Sequence, residues 1–521
     1  MGVAIARTQG APIAVLSGRL RTPQRGVQRG PAAQSLLRQP LLVLLLLPVG
    51  LAAACGGAAH ESSRTIGPAP TLHREGLPLP VVRGPVRIEV TVVDGDRRVP
   101  VREAAVHLWG RRAHTDAAGL AQVRVPFRRA LNVTVSAKGF STRTVLEPFR
   151  DGRKATIRVY RPELQWRMYG ATAARAQTQS HIRLRPPFRT VWSVGIGGLI
   201  EFPAVVDGGV AYIGNARASI RAISMRFGKT LWRHDTPYGK MASSPAVVGR
   251  NLVYHTMDGH VYVLDRANGR LRWRFYVGSP VESSPIVRDG VDYFGAWNGR
   301  LYALDLRRHR LRWTRSLGAK ITSSAAIADG RLFIGDYAGR LWALSPGTGA
   351  TRWVSSVNGR IYGTPAVANG RVFVPSSTGG SLTAFSTRGR RLWRIHTGSY
   401  VYSSPAAWGG RAFFGSYNGV FYGVSASSGR RLWAVGTGGS ISGAAVVVDG
   451  VAYAGSFAHR IVGVDARTGR VLLRFGHGNY VPVSGNGMRL LFHGYSRLYA
   501  VEPRAVNRLP ANHRHLRQRR R

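Results

Sequence analysis

The sequence predicts an all-β protein: an eight-bladed β-propeller preceded by a small antiparallel β-sandwich. The first observation behind this prediction is a tryptophan that recurs every 40 or 41 residues. The second is that each interval holds four short apolar segments separated by tight turns, which is the content of one propeller blade. The third is a set of alternating strands ahead of the repeat. The recurring positions are Trp192, Trp232, Trp273, Trp313, Trp353, Trp393 and Trp433, with Leu473 in the next place.

Residues 1–55 are predicted to be an export signal. Several arginines lead into the apolar run Leu41–Ala54, which is followed at once by Cys55 and two glycines. A basic start, an apolar core of this length and small residues at its end are typical of export signals, and the run is shorter than the roughly 20 residues of a membrane span. The ending resembles a bacterial lipoprotein signal, which implies lipidation of Cys55. The alternative is an ordinary signal peptide or N-terminal anchor.

Residues 56–84 read as a flexible tether, and residues 85–162 as the β-sandwich. Val86–Val93 alternates like a strand, and four further alternating segments follow it, separated by polar turns. The landmarks of this region resemble the carboxypeptidase regulatory-like, immunoglobulin-like modules of exported proteins, and they are Ala105–Leu108, Thr115–Gly119 and Ser136–Phe140. The resemblance implies a spacer or adhesion unit, and no catalytic group of residues is recognisable here.

Residues 163–189 are predicted to be a linker, and residues 190–503 the propeller. The unit that starts at Ser283 shows the four strands of a blade: SSPIVRDG holds the first strand and a turn, VDYFGAW the second, RLYALD the third and LRWTRSLG the fourth. Asn298 and Gly299 form the tight hairpin between the second and third strands, because both turn residues must accept positive φ.

Eight first-strand motifs predict eight blades, and the two chain ends supply the parts of one of them. Thr190–Ile196 reads as a fourth strand without the preceding three, whereas residues 480–503 read as three strands without a fourth. Together they would complete one blade and remove the free sheet edge of an open ring. The eight motifs are EFPAVV, SSPAVV, SSPIVR, SSAAIA, GTPAVA, SSPAAW, SGAAVV and VPVSGN.

Packing accounts for the residues that every blade repeats. The tryptophan is predicted to lie between neighbouring blades, where its large apolar area is buried. The glycine that precedes it serves the turn into the fourth strand, and Asp265, Asp305 and Asp465 are expected to bond the backbone of that turn.

The repeat unit, of the form SSPAVVxxxVYxxxxDGxVYxLDxxxGxxxW, resembles the pyrroloquinoline-quinone (PQQ)-type propeller repeat from about Thr190 to Pro503. One branch of this family consists of dehydrogenases that bind PQQ and calcium over the channel; the other, which includes the BamB-like assembly lipoproteins, is non-enzymatic. The dehydrogenases stack PQQ beneath a ring of two adjacent cysteines, but Cys55 is the single cysteine here. With 24 acidic residues, ligands for calcium are also scarce. The resemblance therefore implies no cofactor, metal or catalytic residue.

Function is expected where the blades differ, because packing alone requires them to be alike. Loops from each fourth strand to the next first strand and hairpins between second and third strands share one face, around the channel mouth. Cationic and aromatic side chains there suit a peptide, a carboxylated sugar or another anionic ligand; the alternative is a solvated rim without a ligand. The predicted ligand-binding residues are Lys240, Glu282, Lys320, Arg360, Tyr362, Tyr400, Tyr402 and Tyr480. The hairpin tips Trp297, Tyr337, Tyr417 and Phe457 extend this face.

The chain is strongly basic, with 74 lysines and arginines, 24 acidic residues and a formal net charge of +50. Five of the 74 are lysines, and so marked an arginine excess is typical of a GC-rich coding bias, which loads arginine onto exposed faces. Salt-dependent attraction to polyanions follows from the charge, but export argues against a specific nucleic acid partner. The basic tail, residues 504–521, reads as disordered; it either contacts anionic envelope polymer or lipid headgroups or is simply solvated.

Together these observations predict an exported, membrane-attached monomer with a binding or scaffolding role outside the cytoplasm. The expected partner is an envelope protein, a peptide or an anionic ligand, and no enzymatic activity is expected. The alternative is a degenerate PQQ-dependent dehydrogenase.

Overall fold

The computed structural model describes residues 85–126, 130–149, 153–237, 239–481 and 483–504. The predicted export signal with Cys55, the predicted tether and the tail from residue 505 onward lie outside the described residues. Within the described residues, no helix combines the length and the hydropathy that crossing a bilayer requires.

The N-terminal part folds into two packed sheets. Its strands are β1 (Pro85–Asp94), β2 (Ala105–Leu108), β3 (Arg111–His114), β4 (Leu120–Pro126), β5 (Ala130–Ser136), β6 (Arg143–Pro148) and β7 (Lys154–Val159). The sheet orders are β4-β1-β7 and β3-β2-β5-β6. Strand β1 pairs antiparallel with β4 but parallel with β7, so the first sheet is mixed. Alternate residues of both sheets, such as Val90 and Val133, point into one buried core.

Two of these strands escape sequence analysis. Strand β3 reads RRAH and is largely exposed, so it has no apolar alternation. Strand β6 alternates only between half-buried and exposed residues because it lies at a sheet edge.

The remaining strands belong to the propeller. They are β8 (Thr178–Gln179), β9 (Phe188–Gly195), β10 (Val205–Asp207), β11 (Val210–Gly214), β12 (Ser219–Ser224), β13 (Thr230–Asp235), β14 (Ala246–Val248), β15 (Asn251–His255), β16 (His260–Asp265), β17 (Leu271–Tyr276), β18 (Ile286–Arg288), β19 (Val291–Gly295), β20 (Arg300–Asp305), β21 (Arg310–Ser316), β22 (Ala326–Ala328), β23 (Arg331–Gly335), β24 (Arg340–Leu344), β25 (Thr351–Ser356), β26 (Ala366–Ala368), β27 (Arg371–Ser376), β28 (Ser381–Ser386), β29 (Arg391–His396), β30 (Ala406–Trp408), β31 (Arg411–Gly415), β32 (Val420–Ser425), β33 (Arg431–Gly436), β34 (Val446–Val448), β35 (Val451–Ser456), β36 (Arg460–Asp465), β37 (Val471–Phe475), β38 (Val483–Gly485), β39 (Leu490–His493) and β40 (Arg497–Pro503).

Across the described residues these strands form eight sheets arranged around an axis. Six sheets each contain four consecutive strands, from β10 to β33; the seventh is β37-β36-β35-β34-β8 and the eighth β38-β39-β40-β9. The first strands of neighbouring sheets contact one another, as β10 contacts β14 and β38, so the first strands surround the channel. The register between Phe188–Gly195 and Arg497–Pro503 confirms the predicted pairing of the two chain ends.

Each repeated tryptophan contacts the turn of the next sheet along the chain. The Trp232 indole nitrogen donates to the carbonyl oxygen of Arg266 at 3.0 Å, and its ring lies against Gly269. In the third sheet the glycine position is taken by His309, whose φ is 55° and whose ring centroid lies 4.4 Å from that of Trp273. The tryptophans therefore join neighbouring blades, as the sequence predicts.

Serine and threonine hydroxyls form a second belt, close to the channel. The backbone N–H of Ser284 donates to Ser324 Oγ at 2.8 Å, and that of Thr364 donates to Ser404 Oγ at 2.9 Å. The hydroxyl girdle, as we call it, consists of Ser284, Ser324, Thr364 and Ser404, which are 40 residues apart and buried. The repeated serine before the first strand therefore accepts a hydrogen bond from a backbone N–H of the preceding blade.

Residues 163–189, for which the sequence predicts a linker, include a segment that is buried in the propeller. The channel segment, residues 166–179, bonds to the first strands of six sheets through backbone N–H and C=O groups. The acceptors on the segment are the carbonyl oxygens of Trp166, Arg167, Ala173, Ala174, Ala176 and Gln177, and the donors are the N–H groups of Val206, Val247, Ile327, Val367, Ala407 and Val447. A description as a linker is therefore incomplete, because this stretch closes one end of the channel.

Arg175 anchors the channel segment to the sheets. It is fully buried, and its guanidinium donates to the carbonyl oxygens of Ala325 at 3.0 Å, Pro285 at 2.9 Å and Ser284 at 3.2 Å, and to that of Tyr169. Burial lowers the pKa of Arg175 to about 10, which still leaves it charged at neutral pH.

The β-sandwich packs on the propeller face opposite the mouth. Arg98 pairs with Glu502 near the end of β40, and Arg143 Nη1 donates to the carbonyl oxygen of Gly208, in the turn between β10 and β11, at 3.4 Å. Asp96 accepts from the side-chain amide of Gln165, which follows the sandwich. Polar contacts therefore fix the sandwich at this end of the channel.

Candidate functional site

The predicted mouth residues do lie around one end of the channel. In the second, fourth and sixth sheets the hairpin tips Met257, Tyr337 and Tyr417 donate their backbone N–H groups to the carbonyl oxygens of Lys240, Lys320 and Tyr400 at 2.8 to 2.9 Å. Corresponding bonds form in the third, fifth and seventh sheets, at Trp297, Ser377 and Phe457. The backbone thus joins each hairpin to the loop beside it.

Lys240 is engaged within the protein. Its ammonium nitrogen lies 2.8 Å from Oε1 of Glu201, a carboxylate that is almost fully buried in the first sheet. Burial raises the pKa of Glu201, and the bond to Lys240 opposes that rise. Glu201 Oε2 has no hydrogen-bond partner among the described residues and faces the channel interior.

Glu282 lies below the rim rather than on it. The carboxylate is buried; Oε1 accepts from the Tyr362 hydroxyl at 2.6 Å and Oε2 from the Trp297 indole nitrogen at 3.2 Å. The sequence predicts Glu282 as a ligand-binding residue, but these contacts make it an anchor for two aromatic side chains. Burial and the nearby carboxylate both raise the pKa of Tyr362, so its hydroxyl stays a donor.

Lys320 lies over aromatic rings. Its ammonium nitrogen is 3.1 Å from the centroid of Trp297 and 5.1 Å from that of Tyr337, which is cation–π geometry. Burial lowers the pKa of Lys320, as does Arg360, and Glu282 opposes both effects. The indole that binds Glu282 therefore also supports this cation.

Like Arg217 in the hairpin of the first sheet, Arg360 is a cation that the rim offers to solvent. It is exposed, its guanidinium carbon lies 5.7 Å from the ring centroid of Tyr337, and it has no ion pair among the described residues. Since Lys240 pairs with Glu201 and Lys320 stacks near Glu282, the mouth carries less available positive charge than three basic residues suggest.

Aromatic rings follow the rim without a break from the fourth sheet to the eighth. Successive ring centroids are 6.0, 5.3, 5.0, 6.1 and 5.0 Å apart, several of them in edge-to-face or tilted arrangements. The aromatic arc, as we call it, consists of Tyr337, Tyr362, Tyr402, Tyr417, Phe457 and Tyr480, with Tyr400 beside Tyr402. Burial raises the pKa of Tyr337 and of Tyr417 to about 12.

The arc offers its surface unevenly. Tyr400 is 50% exposed and Phe457 is 38% exposed, whereas Tyr480 is buried. Tyr480 is a predicted ligand-binding residue, but in the structure it supports Phe457 from below. The accessible part of the site is therefore Arg360, Tyr400, Tyr402 and the hairpin tips.

The channel segment forms the floor beneath the mouth. Tyr169 donates its hydroxyl to Ser404 of the hydroxyl girdle at 3.0 Å, and its ring meets Phe202 edge-on at 5.9 Å. A cavity of about 20 Å³ remains beside Glu201 and Tyr169, which is room for about one water molecule. Sequence analysis missed this floor because residues 166–179 lie outside the repeat and show no periodicity.

The chemistry of the mouth suits binding. No group of three or more His, Cys, Asp or Glu side chains in the described part of the chain could hold a metal ion. The buried carboxylates are bonded to Lys240, Trp297 and Tyr362, while phenol rings and the guanidinium of Arg360 face outward. Aromatic rings beside a guanidinium are complementary to apolar or aromatic groups that accompany a carboxylate.

Comparison with known proteins connects this architecture to a family. A family model described as outer membrane protein assembly factor BamB matches residues 216–314 and 297–504. The outer membrane protein assembly factor BamB of Xanthomonas campestris pv. campestris is 29% identical over 133 residues, which cover 22% of this chain and 32% of the relative. The BamB of Pseudomonas aeruginosa is 30% identical over 89 residues, 17% of this chain and 23% of the relative. The matches thus span about a third and about a quarter of these relatives.

Solved structures share the fold at low sequence identity. BamB from Moraxella catarrhalis has a TM-score of 0.53 at 17% identity, covering 61% of this chain and 99% of that one. Quinohemoprotein alcohol dehydrogenase from Comamonas testosteroni has a TM-score of 0.57 at 12% identity, and the match covers 66% of this chain and 81% of the dehydrogenase. At these identities the likenesses show that the propeller fold is shared. Because the family model matches more than half of its residues, the chain belongs to the BamB family.

Proposed function

We propose that this protein is a non-catalytic scaffold of the cell envelope whose channel mouth holds a segment of a partner protein. The observation that carries the proposal is the aromatic arc, which begins beside Arg360 and continues over five sheets. Aromatic residues and arginine are the side chains most often responsible for affinity in protein interfaces.

The charges of the mouth favour a peptide over a densely charged anion. Lys240 is paired with Glu201, and Lys320 lies close to the buried Glu282. Arg360 supplies an available guanidinium beside one end of the aromatic arc. A polypeptide segment with aromatic or aliphatic side chains and one carboxylate matches this order of groups.

Family membership and the sequence support the cellular setting. The matching relatives are named outer membrane protein assembly factors, and the N-terminal residues are predicted to be an export signal that ends in Cys55. The protein is therefore proposed to act outside the cytoplasm, attached to a membrane through its N-terminal region, as a monomer that binds another envelope protein.

Site-specific photocrosslinking in intact cells tests the proposal. A photoreactive benzoyl-phenylalanine replaces Tyr400, which is 50% exposed in the mouth, or, as a control, Tyr276, which is 64% exposed in the fourth strand of the second sheet. We expect a crosslinked partner from position 400 that position 276 does not capture. The same band from both positions would contradict a mouth site.

Two substitutions then ask whether the mouth surface itself binds. In the Tyr400 photocrosslinking background, Arg360→Glu and Tyr402→Ala should each reduce capture by roughly 5- to 100-fold, since truncating an interface anchor costs about 1 to 3 kcal/mol. Arg352→Glu, on an exposed fourth-strand position, should leave capture unchanged. Undiminished capture with both mouth variants would refute the proposal.

The enzymatic alternative has its own measurement. Purified protein mixed with PQQ and calcium should show neither a bound-cofactor absorbance nor dye-linked alcohol oxidation. A stoichiometric absorbance change or turnover would overturn the non-catalytic assignment.

A further inference from the structure

A second cavity lies between the β-sandwich and the propeller, on the face away from the mouth. Its volume is about 360 Å³, within the range of small-molecule sites. Four arginines line it, two from each side: Arg98 and Arg158 from the sandwich, and Arg226 and Arg489 from the propeller. We call it the junction pocket.

The carboxylates near the junction pocket are already bonded. Asp94, in the pocket wall, accepts from Arg161 Nε at 3.0 Å and from the backbone N–H groups of Asp96 and Arg97. Glu502 is shared by Arg98 and Arg489, and Arg189 lies 3.6 Å away. Both carboxylates therefore already form ion pairs, and their partners are arginines other than Arg158 and Arg226.

Arg158 and Arg226 are the uncompensated charges. Neither has an ion pair among the described residues. Arg158 belongs to the sandwich and Arg226 to the propeller, and both line the pocket. Burial lowers the pKa of Arg158, and the charge of Arg226 lowers it further. Two unpaired guanidiniums in one cavity are a receptor for an oxyanion.

The pocket also has an apolar wall. Phe227 is 60% exposed, and the Arg226 guanidinium carbon lies 4.7 Å from its ring centroid. Met488 lies beside it in the pocket lining, and Tyr160 borders the sandwich side. An exposed phenylalanine next to a thioether favours a ligand that carries an aromatic or aliphatic group.

We propose that the junction pocket binds a small organic oxyanion, with its phosphate or carboxylate between Arg158 and Arg226 and its apolar group on Phe227 and Met488. A ligand in this place would contact the sandwich and the propeller together. It would therefore fix their relative position and raise the temperature of unfolding. This site is independent of the channel mouth.

Calorimetric titration with three probes tests the proposal: phenyl phosphate, benzoate and inorganic phosphate. Phenyl phosphate is expected to bind with one molecule per chain and at least tenfold more tightly than inorganic phosphate, because its ring covers Phe227. Stronger binding of phenyl phosphate than of benzoate assigns the site to phosphates, and the reverse order assigns it to carboxylates. Failure of both phenyl phosphate and benzoate to bind would overturn the proposal.

Matched variants separate the site from general surface charge. The double variant Arg158→Gln/Arg226→Gln should weaken phenyl phosphate binding at least tenfold. The control double variant Arg388→Gln/Arg430→Gln removes the same charge at two exposed turn positions, and it should change the affinity less than twofold. Phe227→Ala should weaken phenyl phosphate and leave inorganic phosphate unchanged. Equal weakening by both arginine pairs would mean nonspecific attraction and would refute the pocket. Because Arg226 and Phe227 are exposed, the unliganded melting temperatures of the single variants Arg226→Gln and Phe227→Ala should match the wild type.

Discussion

The backbone N–H of Ser244 donates to the hydroxyl oxygen of Ser284 at 3.0 Å, and thereby joins the second sheet to the third beside the channel. Both residues are fully buried, so water cannot replace this acceptor. The bond explains why a serine recurs ahead of the first strand: it satisfies a backbone donor of the preceding blade.

Ser284→Ala should therefore destabilise the protein by about 1 to 3 kcal/mol, because it leaves the buried Ser244 N–H without an acceptor. Ser283→Ala is the matched control: Ser283 is also fully buried, but its hydroxyl has no partner among the described residues. Urea unfolding measures both. A loss at Ser283 as large as that at Ser284 would contradict the role of the girdle.

Gly269→Ala should cost more than its backbone conformation alone explains. A Cβ at Gly269 would lie 2.5 Å from the Trp232 ring, and the residue has a φ of +73°. Gly370 has nearly the same φ, +70°, with nothing within 4 Å of a Cβ. Gly370→Ala should cost about 1 kcal/mol from the left-handed backbone, and Gly269→Ala at least about 2 kcal/mol. Equal midpoints of denaturation would mean that the tryptophan moves aside freely.

Arg175→Met should loosen the channel segment. It removes the donors of four carbonyl oxygens, and the loss should reach at least about 3 kcal/mol. Limited proteolysis should then cleave within residues 163–189, whereas the wild type should resist cleavage there because its backbone is bonded to the sheets. Arg183→Met is the control, since Arg183 is 70% exposed, and it should leave stability and the cleavage pattern unchanged. Protection of the segment in the Arg175 variant would show that the backbone bonds suffice.

Asp96→Asn should change how stability depends on pH. Burial raises the pKa of Asp96 to about 7, while hydrogen bonds from Arg161 and Gln165 oppose the rise. Because the folded state holds this proton more tightly than the unfolded chain, the wild type loses stability as the pH rises from about 4 to about 7. The variant lacks this loss, so its stability relative to the wild type should increase by about 3 kcal/mol between pH 5 and pH 8.

Urea unfolding at several pH values checks this expectation. Asp289→Asn, an exposed turn position, should show a difference from the wild type that does not vary with pH. A constant difference for Asp96→Asn as well would contradict the raised pKa.

Much of the propeller could be predicted because its blades repeat. The tryptophan spacing and the unpaired strand at residues 190–196 each reflect a local rule, and the structure bears them out. The hairpin at Asn298 and Gly299 also forms, but the prediction that both residues have positive φ is wrong: Gly299 has it and Asn298 does not, because the Gly299 N–H donates to the Ala296 carbonyl oxygen and the turn is centred on Trp297 and Asn298. The alignment of blades also placed Lys240, Lys320 and Tyr400 correctly on one face, since equivalent positions in equivalent sheets occupy equivalent places.

What escaped prediction depends on partners that are distant in sequence. Glu282 and Tyr362 are 80 residues apart, and only the closed ring brings their side chains together, so the bonds of Glu282 to Tyr362 and Trp297 could not be predicted from the sequence. The channel segment has small and polar residues without periodicity; its backbone bonds to six sheets could not be anticipated from composition.

The channel segment determines how far a ligand can enter the channel from the mouth. With Arg175 and Tyr169 filling the far end, a guest that enters between the tyrosines meets a wall and must return the way it came. Among the described residues, the channel therefore has a floor and opens toward the mouth.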